Sequence, residues 1–350
     1  MKMLRHEIDV LRVSIVDPCS AEGYDLPDFE TGGLGGTEAT ILRVATALGP
    51  RFNVSHFQNG RSYREWSAAG SLCGFQDLED TDDHDVLVVI NRWKVALKLR
   101  KRYPDKPIFL WLHVYPGRHN RKMGAALRSA NIIVICVSHT HAKKLRSFLG
   151  VGDAPELRVI HNPLDDDLRP DDTPRNPNRL LFASSPHKGL TEVFEQFSTL
   201  RRHSPGLTLA VADPGYLRWD TGPVPKGVVF LGSLSHAALI RQMRRALCLF
   251  NPQTSFAETF GLVLAEANAV GTPVLVHAGL GANDEIVADT DQLVDGNDPS
   301  QILARIRKFQ RATVQITRNS EFRLKNVALD WAQLLHRAAT TDSHSCMVSS

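Results

Sequence analysis

The strongest limit on how this chain folds is a series of twelve short apolar runs, six in each half of the sequence. Most are continuously apolar rather than alternating, which is typical of strands buried on both faces of a parallel sheet. Segments with helical periodicity separate them, and this order predicts doubly wound α/β domains. The runs lie at residues 10–17, 52–58, 85–90, 107–113, 131–138, 156–163, 179–184, 207–213, 227–232, 247–252, 273–278 and 291–295.

The polar, proline-containing stretch at residues 162–178 divides the two sets of runs and predicts an interdomain linker. A chain of 350 residues also exceeds what one hydrophobic core usually organises. We therefore expect an N-terminal Rossmann-like domain over 1–162 and a C-terminal Rossmann-like domain over 163–320. Residues 321–340 carry an apolar stripe, which predicts a terminal helix that packs on a domain.

Composition excludes several classes of protein. With 43% hydrophobic and 23% charged residues the chain is an ordinary globular one. The sequence has no apolar run long enough to span a membrane and no signal-peptide pattern at its start, so we expect a cytoplasmic protein. Its five cysteines are scattered without a CxxC pair, which argues against a disulfide framework or a zinc site. A net charge of +3 gives no reason to expect nucleic-acid binding.

The most informative segment is residues 250–276, where a predicted helix from Thr259 to Val270 is apolar on nearly every face and yet contains Glu266. A buried carboxylate needs hydrogen-bonding partners. Glu258 lies eight positions upstream, so two carboxylates could grip hydroxyl groups at opposite ends of one elongated ligand. Alternatively, Glu258 caps the helix and Glu266 pairs with an internal arginine. The free amide groups of the helix start suit a phosphate and belong to Phe260, Gly261 and Leu262.

Three further positions are candidates for ligand binding. The glycine-rich turn of residues 30–36 leads into a helix, where backbone N–H groups hold anions. Lys188 follows the first predicted strand of the second domain and could neutralise a diphosphate. His113 ends a strand at the carboxyl edge of the sheet, where open α/β sheets bind ligands. The alternative for the glycine-rich turn is a flexible loop, for Lys188 a solvated side chain, and for His113 a structural histidine.

Taken together, these segments resemble the family 4 glycosyltransferases over nearly the whole chain. The most specific match is the E-x7-E pattern of Glu258 and Glu266, followed in order by GANDEIV and QLVDGNDP. GGTE at 35–38 resembles the family's glycine loop, HNPLDDD its entry to the second domain and FLGSLSHAAL its base-binding strand and turn. The helix around Trp331 resembles the segment that crosses back onto the first domain.

The resemblance implies two facing Rossmann-like domains of the GT-B type with a donor in the cleft. It implies a hexosyltransferase (EC 2.4 class) that takes a hexose from a nucleotide-diphosphate sugar and retains the anomeric configuration. The acceptor would be a polysaccharide, lipopolysaccharide or glycolipid of the cell envelope. No cofactor and no metal are expected beside the donor, although aspartate clusters at 80–85 and 165–167 invite a metal-binding interpretation.

The resemblance also assigns roles to residues. Glu258 would hold the hydroxyls of the transferred sugar, Glu266 the ribose hydroxyls, and His113 would lie near the reacting sugar. Lys188 would stabilise the leaving diphosphate. The remaining diphosphate contacts would come from Gly35, Gly36, Thr259, Phe260, Gly261 and Leu262, and the base would lie against Gly232, Ser233 and Leu234.

One departure from the family pattern concerns the diphosphate. The family commonly has an arginine about five residues before the lysine, but residues 182–187 contain none. His187, a first-domain residue such as Arg118, or backbone groups would have to substitute for it. A nucleotide-sugar binding module with weak or no transfer activity therefore stays open. A nicotinamide-dependent oxidoreductase is disfavoured because the usual ribose-reading acid is missing.

Two basic segments bear on the acceptor. Residues 92–106 form a predicted basic helix, which is either a solvated face or a contact with the inner face of an anionic membrane. Residues 117–123 follow His113 and are better placed for an anionic acceptor, with Arg118 and Arg121 as the candidates. The expected partners are thus a nucleotide-sugar donor and a saccharide or lipid-linked acceptor.

Overall fold

The structure, a computed structural model, describes residues 10–32, 34–150, 152–213, 215, 220–287, 289–312, 316 and 319–346, with only the backbone for Glu30 and 341–346. It contains two predominantly parallel β-sheets. The inner strands of both sheets are buried on both faces: Val86 and Val88 of the first sheet point into one apolar cluster, and Leu87 into another. The predicted fold class, two doubly wound α/β domains, is confirmed.

The first sheet has the strand order β3-β4-β2-β1-β5-β6-β7-β8. Every predicted run of the first half contains one of these strands. Sequence analysis missed the antiparallel pair β3–β4, because β3 is only three residues long and exposes Trp66 instead of an apolar run. The strands are β1 (Leu11–Asp17), β2 (Phe52–Gln58), β3 (Glu65–Ser67), β4 (Gly70–Gly74), β5 (Val86–Ile90), β6 (Ile108–Leu112), β7 (Ile133–Cys136) and β8 (Leu157–Val159).

Five helices accompany these strands within the described part of the first half. The helix after the glycine-rich turn begins at Gly36, as the turn predicted, and buries the side chains of Ile41, Leu42 and Val44. The helices are α1 (Asp28–Thr31), α2 (Gly36–Leu48), α3 (Trp93–Arg102), α4 (Met123–Ser129) and α5 (His139–Leu149).

The second sheet has the order β11-β10-β9-β12-β13-β14, and each of its strands lies within or overlaps a predicted run. Its first strand begins at Asn176, inside the stretch predicted as linker. The strands are β9 (Asn176–Ala183), β10 (Thr208–Ala212), β11 (Val228–Gly232), β12 (Ala246–Asn251), β13 (Val274–His277) and β14 (Leu293–Val294). The helices are α6 (Leu190–His203), α7 (His236–Arg245), α8 (Leu262–Ala269), α9 (Asn283–Ile286) and α10 (Pro299–Arg311).

Strand order creates one crevice in each sheet. In the first sheet the chain reverses direction across the sheet between β1 and β5, and in the second between β9 and β12. Loops that leave neighbouring strands in opposite directions open a gap at the carboxyl edge, where α/β sheets bind ligands. The glycine-rich turn follows β1, the segment with Lys188 follows β9, and the segment with Glu258 follows β12.

The C-terminal helix α11 (Leu324–Cys346) returns to the first domain and packs on α2. Its buried Trp331 lies against Trp111 of β6, with ring centroids 4.5 Å apart. Just before it, Leu164 of the linker exchanges backbone hydrogen bonds with Phe322 and Leu324. The linker and the returning segment are thus tied together between the two sheets. Among the described helices, none has both the length and the apolar character needed to cross a membrane.

Candidate active site

Lys188 and Glu258 form an ion pair at the crevice of the second sheet. Lys188 ends the 3₁₀ turn Pro186–Lys188 after β9, and Glu258 lies in the loop between β12 and α8. The Lys188 Nζ donates to Glu258 Oε1 over 2.9 Å, and both side chains remain 20–25% exposed. The ammonium also lies 5.2 Å from the ring centroid of Phe256. Two residues predicted to bind the donor, 70 positions apart in sequence, are therefore brought together.

The helix that follows Glu258 begins later than predicted. Residue Gly261 adopts a left-handed conformation with φ of 92°, and α8 starts at Leu262 instead of Thr259. A residue in the left-handed conformation cannot be part of a right-handed helix, so the chain enters α8 through a sharp turn at Gly261. Glu258 consequently lies on the loop that leads into α8. The eight positions from Glu258 to Glu266 are therefore not one continuous helix, as the spacing had suggested.

Thr259 joins this loop to the first domain. Its Oγ1 donates to the backbone carbonyl of His113 over 2.7 Å, and its own carbonyl accepts from Ser138 Oγ over 2.6 Å. Because His113 follows β6 and Ser138 follows β7, the carboxyl edge of the first sheet is held directly against the loop that carries Glu258. His113 therefore lies beside the segment that carries Glu258, and its place near a reacting sugar stays a prediction.

The His113 side chain is buried and uncharged at neutral pH. Burial, with a smaller contribution from neighbouring His141, lowers its pKa to about 3. The ring stacks at a tilt on Trp111, with centroids 4.9 Å apart. Its Nε2 is buried and has no hydrogen-bond partner among the described residues. A neutral imidazole nitrogen of this kind can exchange a hydrogen bond with a ligand hydroxyl.

Glu266 is 4% exposed and is held by groups from both domains. Its Oε1 contacts Arg43 Nη2 at 3.3 Å and His236 Nε2 at 3.0 Å. Burial on its own raises the pKa of Glu266, but His236 and then Arg43 outweigh burial and bring it below its ordinary value. The pairing with an arginine that sequence analysis left open thus occurs, and the arginine comes from the other domain. Ribose binding by Glu266 stays a prediction.

The start of α2 approaches the start of α8. A Cβ placed on Gly36 would lie 3.8 Å from Leu262 Cδ2. Gly35 is the N-cap of α2, and the Glu38 carboxylate folds back over it so closely that a side chain at Gly35 would clash with it. Burial raises the pKa of Glu38. Gly35 thus lies beside a carboxyl group and Gly36 lies opposite the start of α8, while their phosphate contacts stay predictions.

The other predicted binding positions follow β11 and β6 in the chain. Gly232 ends β11 with φ of 69°, and Ser233 and Leu234 precede the N-cap of α7. Arg118 and Arg121 are exposed and pair with no carboxylate of the described residues. These observations are compatible with base and acceptor contacts but do not test them.

His187, one of the groups considered as a substitute for the phosphate-binding arginine, is not a cation at neutral pH. Burial and the adjacent Lys188 lower its pKa below the ordinary value, so the ring is neutral there. Its Nδ1 lies 2.8 Å from Ser185 Oγ, and the ring packs on Phe256.

The aspartate clusters considered as metal ligands are engaged by arginines. Asp83 and Asp85 pair with Arg12, and Asp165 pairs with Arg43. Among the described residues the groups that could hold a metal ion lie elsewhere: His139, His161 and Glu285 bring one ligand atom each within 4.8 Å of one another. Metal-independent catalysis stays a prediction.

Sequence analysis missed two contributors to the domain boundary, Arg43 and Glu285. In the sequence, Arg43 is a charged residue among the apolar positions of α2, and this could have indicated a buried ion pair. Glu285 was part of a recognised motif but had no role, and it accepts the His139 and Thr140 amides at 2.8 and 2.7 Å. The sequence gives no signal that this carboxylate caps α5, because the partner lies about 145 residues away.

Residues 170–319 match the family model described as glycosyl transferases group 1. The chain is also 31% identical, over 228 residues, to the glycogen synthase of Mycobacterium tuberculosis. That alignment covers 58% of this chain and 53% of the relative, so the chain spans about half the length of the curated relatives it matches. The second domain therefore carries the sequence signature of a glycosyltransferase.

Solved structures resemble the chain over nearly its whole length. The Anabaena protein Alr3699/HepE, solved with UDP-glucose, has a TM-score of 0.63 at 15% identity and covers 97% of this chain and 100% of its own. The trehalose 6-phosphate synthase of Burkholderia multivorans has a TM-score of 0.62 at 11% identity, covering 96% and 99%. These similarities establish the fold: two parallel-sheet α/β domains arranged as in GT-B glycosyltransferases.

Proposed function

We propose that this protein is a glycosyltransferase that moves a hexose from a nucleotide-diphosphate sugar to a saccharide or lipid-linked acceptor. The observation that carries the proposal is the Lys188–Glu258 pair at the crevice of the second sheet. The hydrogen bond from Thr259 to the His113 carbonyl places this pair against the edge of the first sheet. A cation, a carboxylate and a neutral histidine thereby meet where two domains face each other.

The group 1 match over residues 170–319 supports a nucleotide-sugar donor, as do solved neighbours crystallised with UDP-glucose. The sugar and the base of this chain's own donor are left to the test. The acceptor is inferred from Arg118 and Arg121, which follow His113 in the chain, are exposed and suit an anionic group.

The proposed chemistry depends on negative charge that develops on the leaving diphosphate. Lys188 would stabilise that charge as the bond to the sugar breaks, which is the largest demand on such a site. The amide groups at the entrance to α8 would add donors aligned with the helix dipole. Glu258, once its partner turns to the phosphates, would accept hydrogen bonds from sugar hydroxyls, and neutral His113 would offer Nε2 to another.

Retention of configuration and independence of metal belong to the proposal and are supported by the family resemblance. In that mechanism the acceptor attacks from the face that the diphosphate leaves, and a phosphate oxygen takes the acceptor proton. In this proposal Lys188 would neutralise charge on the diphosphate without a metal. Both features can be tested directly.

The test is release of nucleoside diphosphate from a panel of UDP-, ADP- and GDP-sugars, with EDTA present and with or without an acceptor mixture. Glu258→Gln should lower kcat/KM about 100-fold, as expected for losing charge-assisted hydrogen bonds. Lys188→Met should lower kcat by 100-fold or more because it removes transition-state stabilisation. Glu195→Gln, an exposed carboxylate on α6, is the matched control. Unchanged turnover in Glu258→Gln would remove the assignment.

One observation favours a second candidate, a sugar-nucleotide binding module. Residues 182–187 supply no second cation, and His187 is neutral. Such a module would bind nucleotide sugars in the panel without releasing nucleotide. Calorimetry performed alongside the release assay separates the two functions.

A further inference from the structure

The side chain of Arg43 crosses from the first domain into the second. It leaves the middle of α2 and is only 5% exposed. Its Nε and Nη2 donate to the two carboxylate oxygens of Asp165, each at 3.0 Å. Nη2 also lies 3.3 Å from Glu266 Oε1 and 3.1 Å from His236 Nε2. One guanidinium thus joins the linker, α7 and α8.

The position of Arg43 follows from how α2 and α8 lie. Gly36, at the start of α2, faces Leu262, at the start of α8. Arg43 lies seven residues further along α2 and Glu266 four residues further along α8, and these two side chains face each other. The first contact is at the proposed diphosphate end of the cleft. The second is therefore at the end where the nucleoside would lie.

An aromatic side chain of the first domain lies on the same cluster. The ring of Phe29, on α1, packs edge-on against His236 with centroids 6.2 Å apart. The guanidinium carbon of Arg43 lies 5.3 Å from the same ring. First-domain groups therefore cover His236 as well as Glu266.

Two polar atoms of the cluster lack partners. Arg43 Nη1 is buried and has no hydrogen-bond partner among the described residues. Glu266 Oε2 accepts no hydrogen bond from them, because the contacts of Arg43 and His236 both reach Oε1. A buried donor without an acceptor is unfavourable, and native structures rarely leave one so. A donor and an acceptor left open within one cluster fit a ligand hydroxyl, which both donates and accepts.

We propose that Arg43 is a ribose-binding residue that the first domain supplies to the donor site of the second. It positions Glu266 through Nη2 and donates to a ribose hydroxyl through Nη1, while that hydroxyl donates to Glu266 Oε2. Nucleotide selectivity for ribose then depends on a residue of the opposite domain. The inference rests on the proposed function and names a further determinant of its donor.

The experiment compares affinities for ribo- and deoxyribonucleotides by titration calorimetry. The probes are UDP, ADP and GDP with their 2′-deoxy and 3′-deoxy counterparts, and the pair that wild-type protein binds best is carried forward. Wild-type protein should prefer the ribonucleotide about tenfold or more, as expected for hydrogen bonds to charged groups. In Arg43→Met this preference should fall to twofold or less, because the open donor and the alignment of Glu266 are both lost.

Two further variants keep the comparison decisive. Arg12→Met removes a first-domain arginine that pairs with Asp83 and Asp85, and it should retain the full preference. Arg43→Lys keeps the charge but loses the planar fork, and it should show a reduced preference even if Arg43→Met fails to fold. Circular dichroism checks the fold of each variant.

The outcomes separate this inference from the proposed function. Wild-type protein that binds none of the nucleotides would refute the proposed function and the inference with it. Wild-type protein that binds nucleotides without preferring ribose would refute only the inference. So would an unchanged preference in Arg43→Met or Arg43→Lys. An equal loss of affinity for ribo- and deoxyribonucleotides would show that Arg43 is a structural ion pair between domains.

Discussion

Replacement of Glu285 by glutamine tests the contact that caps a first-domain helix with a second-domain carboxylate. Glu285 accepts the His139 and Thr140 amides at 2.8 and 2.7 Å and lies 3.2 Å from His161 Nε2. Burial alone would raise its pKa, but the hydrogen bonds from His161 and from these amides outweigh burial and lower it to about 2. The ionised carboxylate is therefore much better stabilised in the folded protein than in the unfolded chain.

The size of the effect follows from that pKa. The ordinary value is 4.5 and the folded value is about 2. At about 1.4 kcal/mol per pKa unit, the ionised Glu285 contributes about 3 kcal/mol to the free energy of unfolding at pH 7. Because the folded pKa is the lower one, this contribution is fully present above pH 4.5. It is lost as the pH falls from 4.5 towards 2, where the carboxyl is protonated in both states.

Glu285→Gln should therefore lower the free energy of unfolding by about 2–3 kcal/mol at pH 7. Urea denaturation of both proteins at pH 7, 5, 4 and 3 measures this difference, which should stay constant to pH 5 and shrink by about half at pH 3. Hydrogen exchange of residues 137–149 should show faster opening of the start of α5 in the variant.

The matched control is Glu195→Gln, which removes an exposed carboxylate of the second domain and should change stability by less than 0.5 kcal/mol. Equal stabilities of wild-type protein and Glu285→Gln at pH 7 would refute the reasoning. A difference that did not depend on pH would show that packing, not the charge of Glu285, accounts for it.

Three further predictions concern packing, backbone and protonation. Trp331→Ala should lower the free energy of unfolding by about 3–5 kcal/mol in urea titrations, whereas Leu329→Ala, 56% exposed on the same helix, should cost less than 1 kcal/mol. Gly261→Ala should lower the free energy of unfolding by about 1–2 kcal/mol and kcat/KM at least tenfold, because φ of 92° disfavours a side chain there. The control Gly206→Ala, whose new methyl group would meet only one distant side chain, should leave kcat/KM unchanged. Equal effects of the two substitutions would contradict this prediction. His113 should remain neutral from pH 8 to pH 4 in nitrogen-detected NMR spectra, since its pKa is about 3, and a titration near pH 6.5 would show that the ring is not desolvated.

The fold was readable from the sequence because buried parallel strands must be apolar on both faces. All twelve predicted runs contain or overlap strands of the structure, and the two sheets follow the two sets. The missed hairpin gave little apolar signal, because β3 is an exposed edge strand and the buried β4 has the sequence GSLCG, which is rich in glycine and small residues. The start of α8 was placed too early, because the propensity of the segment did not reveal the left-handed turn at Gly261.

The sequence also singled out Lys188 and Glu258 as candidate donor contacts, and those roles stay predictions. Lys188 follows β9 and Glu258 follows β12, and these two strands are neighbours in the sheet. Their contact at 2.9 Å therefore depends on strand order as much as on sequence. His113 was expected near the same segment, and Thr259 holds it there.

What only the tertiary structure decided is which charges meet across the cleft. The pairing of Arg43 with Glu266 and the capping of α5 by Glu285 join residues 223 and about 145 positions apart. No local pattern specifies such pairs, since hydrophobic periodicity determines the faces of helices and strands but not the rotation of one domain against another. The sequence by itself determined most of the strands and the two α/β domains; packing between the domains decided how Glu266 and Glu285 are satisfied.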